Sequence, residues 1–236
     1  LHLDKPNFVT VRVDASLEEG WFYEGAGIYR HVWLVKSEPV HITPYGICVN
    51  TELNETFSTA KIRLGAEVVN DGRDKTACSV AYTLYNNEGE KVCTVAETLQ
   101  ELLPRAKADF NQLCMTVEKP NLWSPKNPYL YTLRTEVLSG NKVVDTRDTK
   151  IGIRKIDFDK DKGLFVNGEH VKIYGVCMHQ DHAGVGSAIP DGLQVYRLQK
   201  LKEIGVNGYR SSHNPMTPAM IDACDSLGIL VVEENR

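Results

Sequence analysis

Val171-Lys172-Ile173-Tyr174-Gly175-Val176-Cys177-Met178-His179 and Val206-Asn207-Gly208-Tyr209-Arg210-Ser211-Ser212-His213 are two short β-rich runs, and each ends in polar groups at a histidine. Between them Leu193, Arg197, Lys200, Leu201 and Ile204 fall at helical spacing, with Asp191 placed as an N-cap and Gly205 as a C-cap. A second helix is predicted from Pro218 to Leu227, with Thr217 as its cap, Pro218 in the first turn and Gly228 ending it. Ile229-Leu230-Val231-Val232 then reads as a fully buried strand. The order strand, helix, strand, helix, strand calls for parallel strands joined by right-handed crossovers, the opening of an α/β barrel. Chemistry in such a barrel sits at the C-terminal strand ends, so His179, Arg210 and His213 should face one mouth. On this reading the chain stops at Arg236 in the middle of an active site.

Working back from that unit, Asp157 to Gly168 is a polar connector whose Asn167-Gly168 turn joins Leu164-Phe165-Val166 to the His170 strand as a hairpin. From Val40 to about Ile153 strand-like runs recur: Ala66–Val69, Cys78–Tyr85, Lys91–Val95, Ala108–Val117, Leu130–Leu138 and Val143–Ile153. Turn signals at Asn70-Asp71-Gly72, Asn86-Asn87-Glu88-Gly89 and Ser139-Gly140-Asn141 punctuate them. Roughly 110 residues with about seven strands fit an immunoglobulin-like sandwich, and Trp123 is placed at its end. Pro104 turns the helix-like stretch from Leu99 to Ala106 into a loop between strands. Earlier still, Phe8 to Asp14 alternates as a strand and Ile28 to Val35 forms a second β run, the end of a further β domain. The predicted domains are therefore 1–39, 40–153 and 154–236, and the fold is multidomain and mainly β.

The composition, 42% hydrophobic and 25% charged, is that of an ordinary globular protein. A net charge of −4 without a basic run argues against nucleic acid as a partner. No apolar stretch approaches the roughly 18 residues of a membrane span, and Leu1-His2-Leu3-Asp4 carries no signal core, so a leader on a longer parent and the compartment both stay open. Cys48, Cys78, Cys93, Cys114, Cys177 and Cys224 form no C-x-x-C pair and are read as buried free thiols. A homo-oligomer is compatible with all of this.

His179, Gln180, Asp181 and His182 crowd the first strand end; Arg210, Ser212, His213 and Asn214 crowd the second. His179, His182 and His213 are three imidazoles of the kind that hold catalytic zinc. The first two straddle a strand end, however, where i/i+3 residues do not converge as on a helix, so no metal is assigned. No G-x-S-x-G elbow supports a serine nucleophile. Glu233 and Glu234 are adjacent, and neighbours in a strand point to opposite faces, which makes them a poor acid and nucleophile pair. The inward one is read as a supporting carboxylate that anchors Arg210. Tyr174 and Tyr209 lie inside strands and are read as core.

Several runs together resemble the successive signatures of glycoside hydrolase family 2: Gly25 to Leu34, Asn121-Leu122-Trp123-Ser124-Pro125 with Pro128-Tyr129-Leu130-Tyr131, Gly152-Ile153-Arg154, Phe165-Val166-Asn167-Gly168, Tyr174-Gly175-Val176 with His179, and Tyr209 to Pro215. The resemblance implies the end of a jelly-roll domain, an immunoglobulin-like sandwich and the start of a TIM (β/α)8 barrel. It also implies a retaining, exo-acting hydrolase of terminal β-linked sugars: β-galactosidase first, with β-glucuronidase and β-mannosidase as alternatives. The family's acid/base and nucleophile glutamates fall beyond Arg236, so no catalytic residue is assigned in this chain and the chain alone is expected to be inactive. By position His179, Arg210, His213 and Asn214 resemble the groups that meet substrate, with Glu234 and Asp181 behind them. Asn214 stands where an aromatic is common, and Glu233-Glu234 replaces the usual aspartate-glutamate pair. A β-linked oligosaccharide or glycoside is the implied partner, with no cofactor; a divalent or sodium ion in the parent finds no support in these residues. The competing reading is a non-catalytic carbohydrate-binding or scaffolding β-sandwich, for which Trp21, Phe22 and Tyr23 are the candidate sugar platform.

Overall fold

The computed structural model describes residues 2, 4–14, 16 and 27–235. The predicted platform Trp21-Phe22-Tyr23 lies outside them. The chain divides into two units, one formed by the segment up to Leu34 with Asp181–Ile189, the other by Val35–Gln180 with the chain from Pro190 on.

In the first unit neither Phe8 to Asp14 nor Ile28 to Leu34 forms a strand. Phe8 is 89% and Trp33 77% exposed. Alternation supplies a face, but a strand exists only through a partner for its N–H and C=O groups, and none is found among the described residues. In the Asp181–Ile189 turn the backbones of His182 and Gly186 exchange hydrogen bonds of 3.0 and 2.9 Å.

The second unit opens with seven strands: β1 (Val40–Leu53), β2 (Thr59–Asn70), β3 (Thr76–Tyr85), β4 (Lys91–Leu102), β5 (Lys107–Glu118), β6 (Tyr131–Ser139) and β7 (Lys142–Ile151). They form two antiparallel sheets, β1-β2-β5 and β4-β3-β6-β7, packed as a sandwich. Alternation along β3 sends Cys78, Val80, Tyr82 and Leu84 inward, where they meet Ile42, Ile62, Phe110 and Leu133 from the other strands. The buried Tyr82 hydroxyl donates to the Phe110 carbonyl at 3.3 Å, joining the sheets through the core. β4 runs on to Leu102, so Leu99 to Leu102 is strand and only the short turn around Pro104 is loop.

A three-stranded antiparallel sheet follows, of β8 (Ile156–Asp159), β9 (Gly163–Val166) and β10 (Glu169–His170), the first of which lies in the predicted connector. Its β9–β10 hairpin turns on Asn167 and Gly168, both at positive φ (52° and 78°), as an Asn-Gly turn requires. Three parallel strands then appear in the order β11 (Gly175–Met178), β12 (Gly208–Ser211), β13 (Leu230–Val232), connected by α1 (Asp191–Glu203) and α2 (Pro218–Leu227). Their core is Leu198, Tyr209, Met220, Ala223, Cys224 and Ile229. Gly228 ends α2 in the left-handed conformation.

Several local details differ from the sequence reading. Asp191 is the first helical residue behind a Pro190 N-cap, and Ile204 is the C-cap, followed by Gly205 at φ 91°. The buried stripe of α1 is Gln194 and Leu198, and Ile204 is 77% exposed, because packing selects the face that meets α2. β13 is only partly buried, with Val232 55% exposed, since it is an edge strand of this sheet. Tyr209 is core but Tyr174 is 58% exposed. The thiols are free; Cys78 and Cys224 are buried, whereas Cys48, Cys114 and Cys177 are exposed. Among the described residues no helix is long and apolar enough to cross a membrane.

Candidate active site

β11, β12 and β13 run parallel, so the residues at and beyond their C-terminal ends share one side of the sheet. Register sets Cys177 beside Arg210 and Arg210 beside Val232. The main chain is held there by Ser212 N–H and Tyr209 hydroxyl, which both donate to the Met178 carbonyl at 3.2 Å. The Ser212-His213 peptide is cis.

Glu234 is the hub. Its N–H donates to Ser211 Oγ at 2.8 Å, fixing the chain as it leaves β13. One carboxylate oxygen, Oε2, lies 2.7 Å from His213 Nδ1. A carboxylate can only accept here, so Nδ1 carries the proton and a neutral His213 keeps Nε2 as its acceptor. The other oxygen, Oε1, is buried outside hydrogen-bonding geometry and forms a close ion pair with Arg210 Nη2. Arg210 Nη1 also approaches Cys177 Sγ at 3.6 Å and Ser212 Oγ at 3.5 Å. The Cys177 contact first, and the Glu234 charge with it, push the guanidinium above the usual arginine range. His179 meets His213 edge to face, with ring centroids 5.4 Å apart.

His179, Arg210, His213 and Glu234 are thus brought together at the strand ends. Asn214 is half-buried on the same loop, and its backbone carbonyl accepts from Gln180 Nε2 at 3.4 Å. Asp181 belongs to the first unit, where it is exposed. The loop contacts of Gln180 and Glu233 and the Cys177 approach to Arg210 were missed in the sequence. The signal for Cys177 is parallel pairing, which becomes legible only once the register is known. Among the described residues no group of three or more His, Cys, Asp or Glu side chains is arranged to hold a metal ion. A separate cavity of about 220 Å³ opens beside Tyr174, Asn207, His170 and Lys172, at the N-terminal ends of β11 and β12, where barrel enzymes carry stability and not chemistry.

An immunoglobulin-like sandwich leads into a parallel strand-helix unit with cationic and imidazole groups gathered at its strand ends, the architecture of a modular protein entering an α/β barrel. The family models agree: residues 40–154 match the glycosyl hydrolases family 2 model, and residues 159–236 match the TIM barrel domain of the same family. The chain belongs to glycosyl hydrolase family 2. It is 37% identical to a β-galactosidase, BoGH2A, of Bacteroides ovatus, over 99% of this chain and 27% of that protein. It is 34% identical to a putative β-glucuronidase of Formosa agariphila, over 97% of this chain and 21% of that protein. Among solved structures, a family 2 member from Bacteroides cellulosilyticus aligns with a TM-score of 0.79 at 30% identity, over 85% of this chain and 25% of that one. The β-glucuronidase of Bacteroides uniformis aligns with a TM-score of 0.79 at 29% identity, over 84% and 24%. The chain therefore spans about a quarter of the length of the relatives it matches.

Proposed function

We propose that this chain is part of a retaining, exo-acting β-glycosidase, β-galactosidase by first choice, in which it supplies the end of a jelly-roll domain (1–39), an immunoglobulin-like domain (40–153) and the start of the catalytic barrel (154–236). The observation that carries the proposal is the convergence of His179, Arg210, His213 and Glu234 at the C-terminal ends of three parallel strands. Retention needs two carboxyl groups roughly 5 Å apart across the scissile bond. Glu234 is committed to Arg210 and His213, and Glu233 Oε1 accepts the Met216 N–H, which supports the reading that the acid/base and the nucleophile come from outside this chain. The roles left to these residues are binding and electrostatics. His179 and His213 hydrogen-bond sugar hydroxyls, Arg210 supports the nucleophile's negative charge, and Glu234 sets the tautomer of His213 and the aim of Arg210. Asn214 lies against the same sugar. The substrate is a β-linked oligosaccharide or glycoside. The β-galactosidase preference rests on the Bacteroides ovatus relative at 37% identity, against 34% for the first β-glucuronidase.

The test is kinetic. The full-length protein should hydrolyse nitrophenyl β-galactoside faster than the β-glucuronide or β-mannoside, and the 236-residue chain alone should not turn over any of them. In the full-length enzyme His213→Ala should lower kcat/KM at least tenfold, a loss of about 1.4 kcal/mol or more of transition-state binding. Unchanged kinetics in that variant remove His213 from the site, and turnover by the chain alone would show that the catalytic pair lies within it.

A further inference from the structure

The loop from Ser212 to Thr217, which carries His213 and Asn214, is short of regular hydrogen bonds of its own. It is instead held by side chains reaching in from three different elements. From the β11 end, Gln180 Nε2 donates to the Pro215 carbonyl and, at 3.4 Å, to that of Asn214. From the β13 end, Glu233 Oε1 accepts the Met216 N–H at 2.6 Å. From α1, the buried Gln194 accepts the Thr217 hydroxyl through Oε1 at 3.0 Å, so Thr217 stands at the N-cap position of α2 without capping it.

The two adjacent carboxylates divide the work. Glu234 takes the His213 side chain and Glu233 takes the Met216 main chain three residues on, so the loop is gripped at both its functional group and its backbone. We propose that Gln180 and Glu233 are positioning residues that clamp the Ser212–Thr217 loop and so fix His213 against the sugar. This rests on the reading of this mouth as the glycoside site. The chemistry follows from the groups on the page. A bond from Met216 N–H to a carboxylate is charge-assisted and stronger than one to water, and the two N–H groups of a glutamine amide can donate to two carbonyls at once. A sub-ångström drift of His213 costs catalysis because its hydrogen bond is needed most in the transition state.

The test uses the full-length enzyme with Gln180→Met, Glu233→Ala and Glu233→Gln, the last retaining an acceptor oxygen. Amide hydrogen exchange at Met216 should quicken by about tenfold in Glu233→Ala, the factor expected for one lost backbone bond, and stay near wild type in Glu233→Gln. Gln180→Met and Glu233→Ala should each lose about fivefold or more in kcat/KM, with the loss in kcat and not in KM, and Glu233→Gln should recover most of it. Exchange equal to wild type in both Gln180→Met and Glu233→Ala overturns the clamp, whatever the activity. Faster exchange with unaltered kcat overturns its role in positioning. Should Glu233→Ala fail to fold, Gln180→Met decides the matter by the same two readings. A wild-type enzyme that hydrolyses no β-glycoside overturns the functional reading, and the exchange measurement then still decides the clamp.

Discussion

Thr135 is fully buried on β6, between Tyr82 of β3 and Arg147 of β7 in register, and its hydroxyl has no hydrogen-bond partner. A buried hydroxyl without a partner costs about 1–3 kcal/mol, and a methyl of the same shape removes that cost. Thr135→Val is therefore expected to stabilise the sandwich by about 1 kcal/mol, measured by urea unfolding with an unchanged m-value. A destabilised variant would show that the hydroxyl is satisfied by water. At this scale the sequence was informative about identity and silent about environment. Trp123 could be placed at the end of the sandwich, but its indole N–H donating to the Asp225 carbonyl at 2.7 Å joins residues 102 apart, and no local pattern encodes that. The two glutamates after β13 were legible as a pair with opposed faces, whereas their partners belong to β12 and its loop.

Among the elements, the predicted runs from Ala66 onward and both helices are found in the structure, whereas the alternating Phe8 to Asp14 run is not a strand and β1 was not read as one. The hairpin turn at Asn167-Gly168 and the Pro218 start and Gly228 end of α2 were legible because each rests on local backbone chemistry. The buried stripe of α1 was not, because its sequence mixes apolar and polar residues around the whole helix and only α2 decides which of them face inward. Two glycines after these helices make an internal comparison. Gly228 has φ 71°, and a Cβ there would sit 2.7 Å from the Pro125 carbonyl oxygen; Gly205 has φ 91° and open space around it. Gly205→Ala should cost only the left-handed backbone penalty of about 1–2 kcal/mol, and Gly228→Ala clearly more, read as the difference in urea midpoint between the two variants. Equal losses would mean that the Pro125 loop yields without cost.

Over the whole of the second unit, the sandwich and the strand-helix unit are locked by a polar junction. Lys202 from α1 donates to the Pro125 carbonyl at 2.8 Å and to the Leu227 carbonyl at the end of α2. Arg154 stacks over the Trp123 ring with its guanidinium carbon 4.7 Å from the centroid, and Asn167 Nδ2 donates to the Trp123 carbonyl at 3.0 Å. A Cβ on Gly152 would fall 2.9 Å from Trp123, so glycine is what lets the chain pass the indole. Burial at this junction pushes the Asp225 carboxyl above the usual carboxylate range, with the Arg154 charge pulling the other way. A carboxyl that holds its proton more tightly when folded contributes stability that is fully present below about pH 4 and is lost as pH rises through the folded value. Asp225→Asn, neutral throughout, should therefore gain in Tm over wild type as pH goes from about 4 to 7. Parallel Tm profiles over that range would place the Asp225 carboxylate in contact with water.

By itself the sequence determined the strand-helix-strand-helix-strand order of the last unit, the change of period from sandwich to parallel unit, and the histidines and arginine waiting at strand ends, because alternation, turn residues and helix boundaries act over a few neighbouring residues. Tertiary structure alone decided that Phe8 to Asp14 finds no partner strand among the described residues, that β13 is an edge, and that the Glu234 carboxylate takes His213 as well as Arg210. Those outcomes depend on which distant backbone or charge comes within a few ångströms, a quantity set by register and packing and written in no single stretch of the chain.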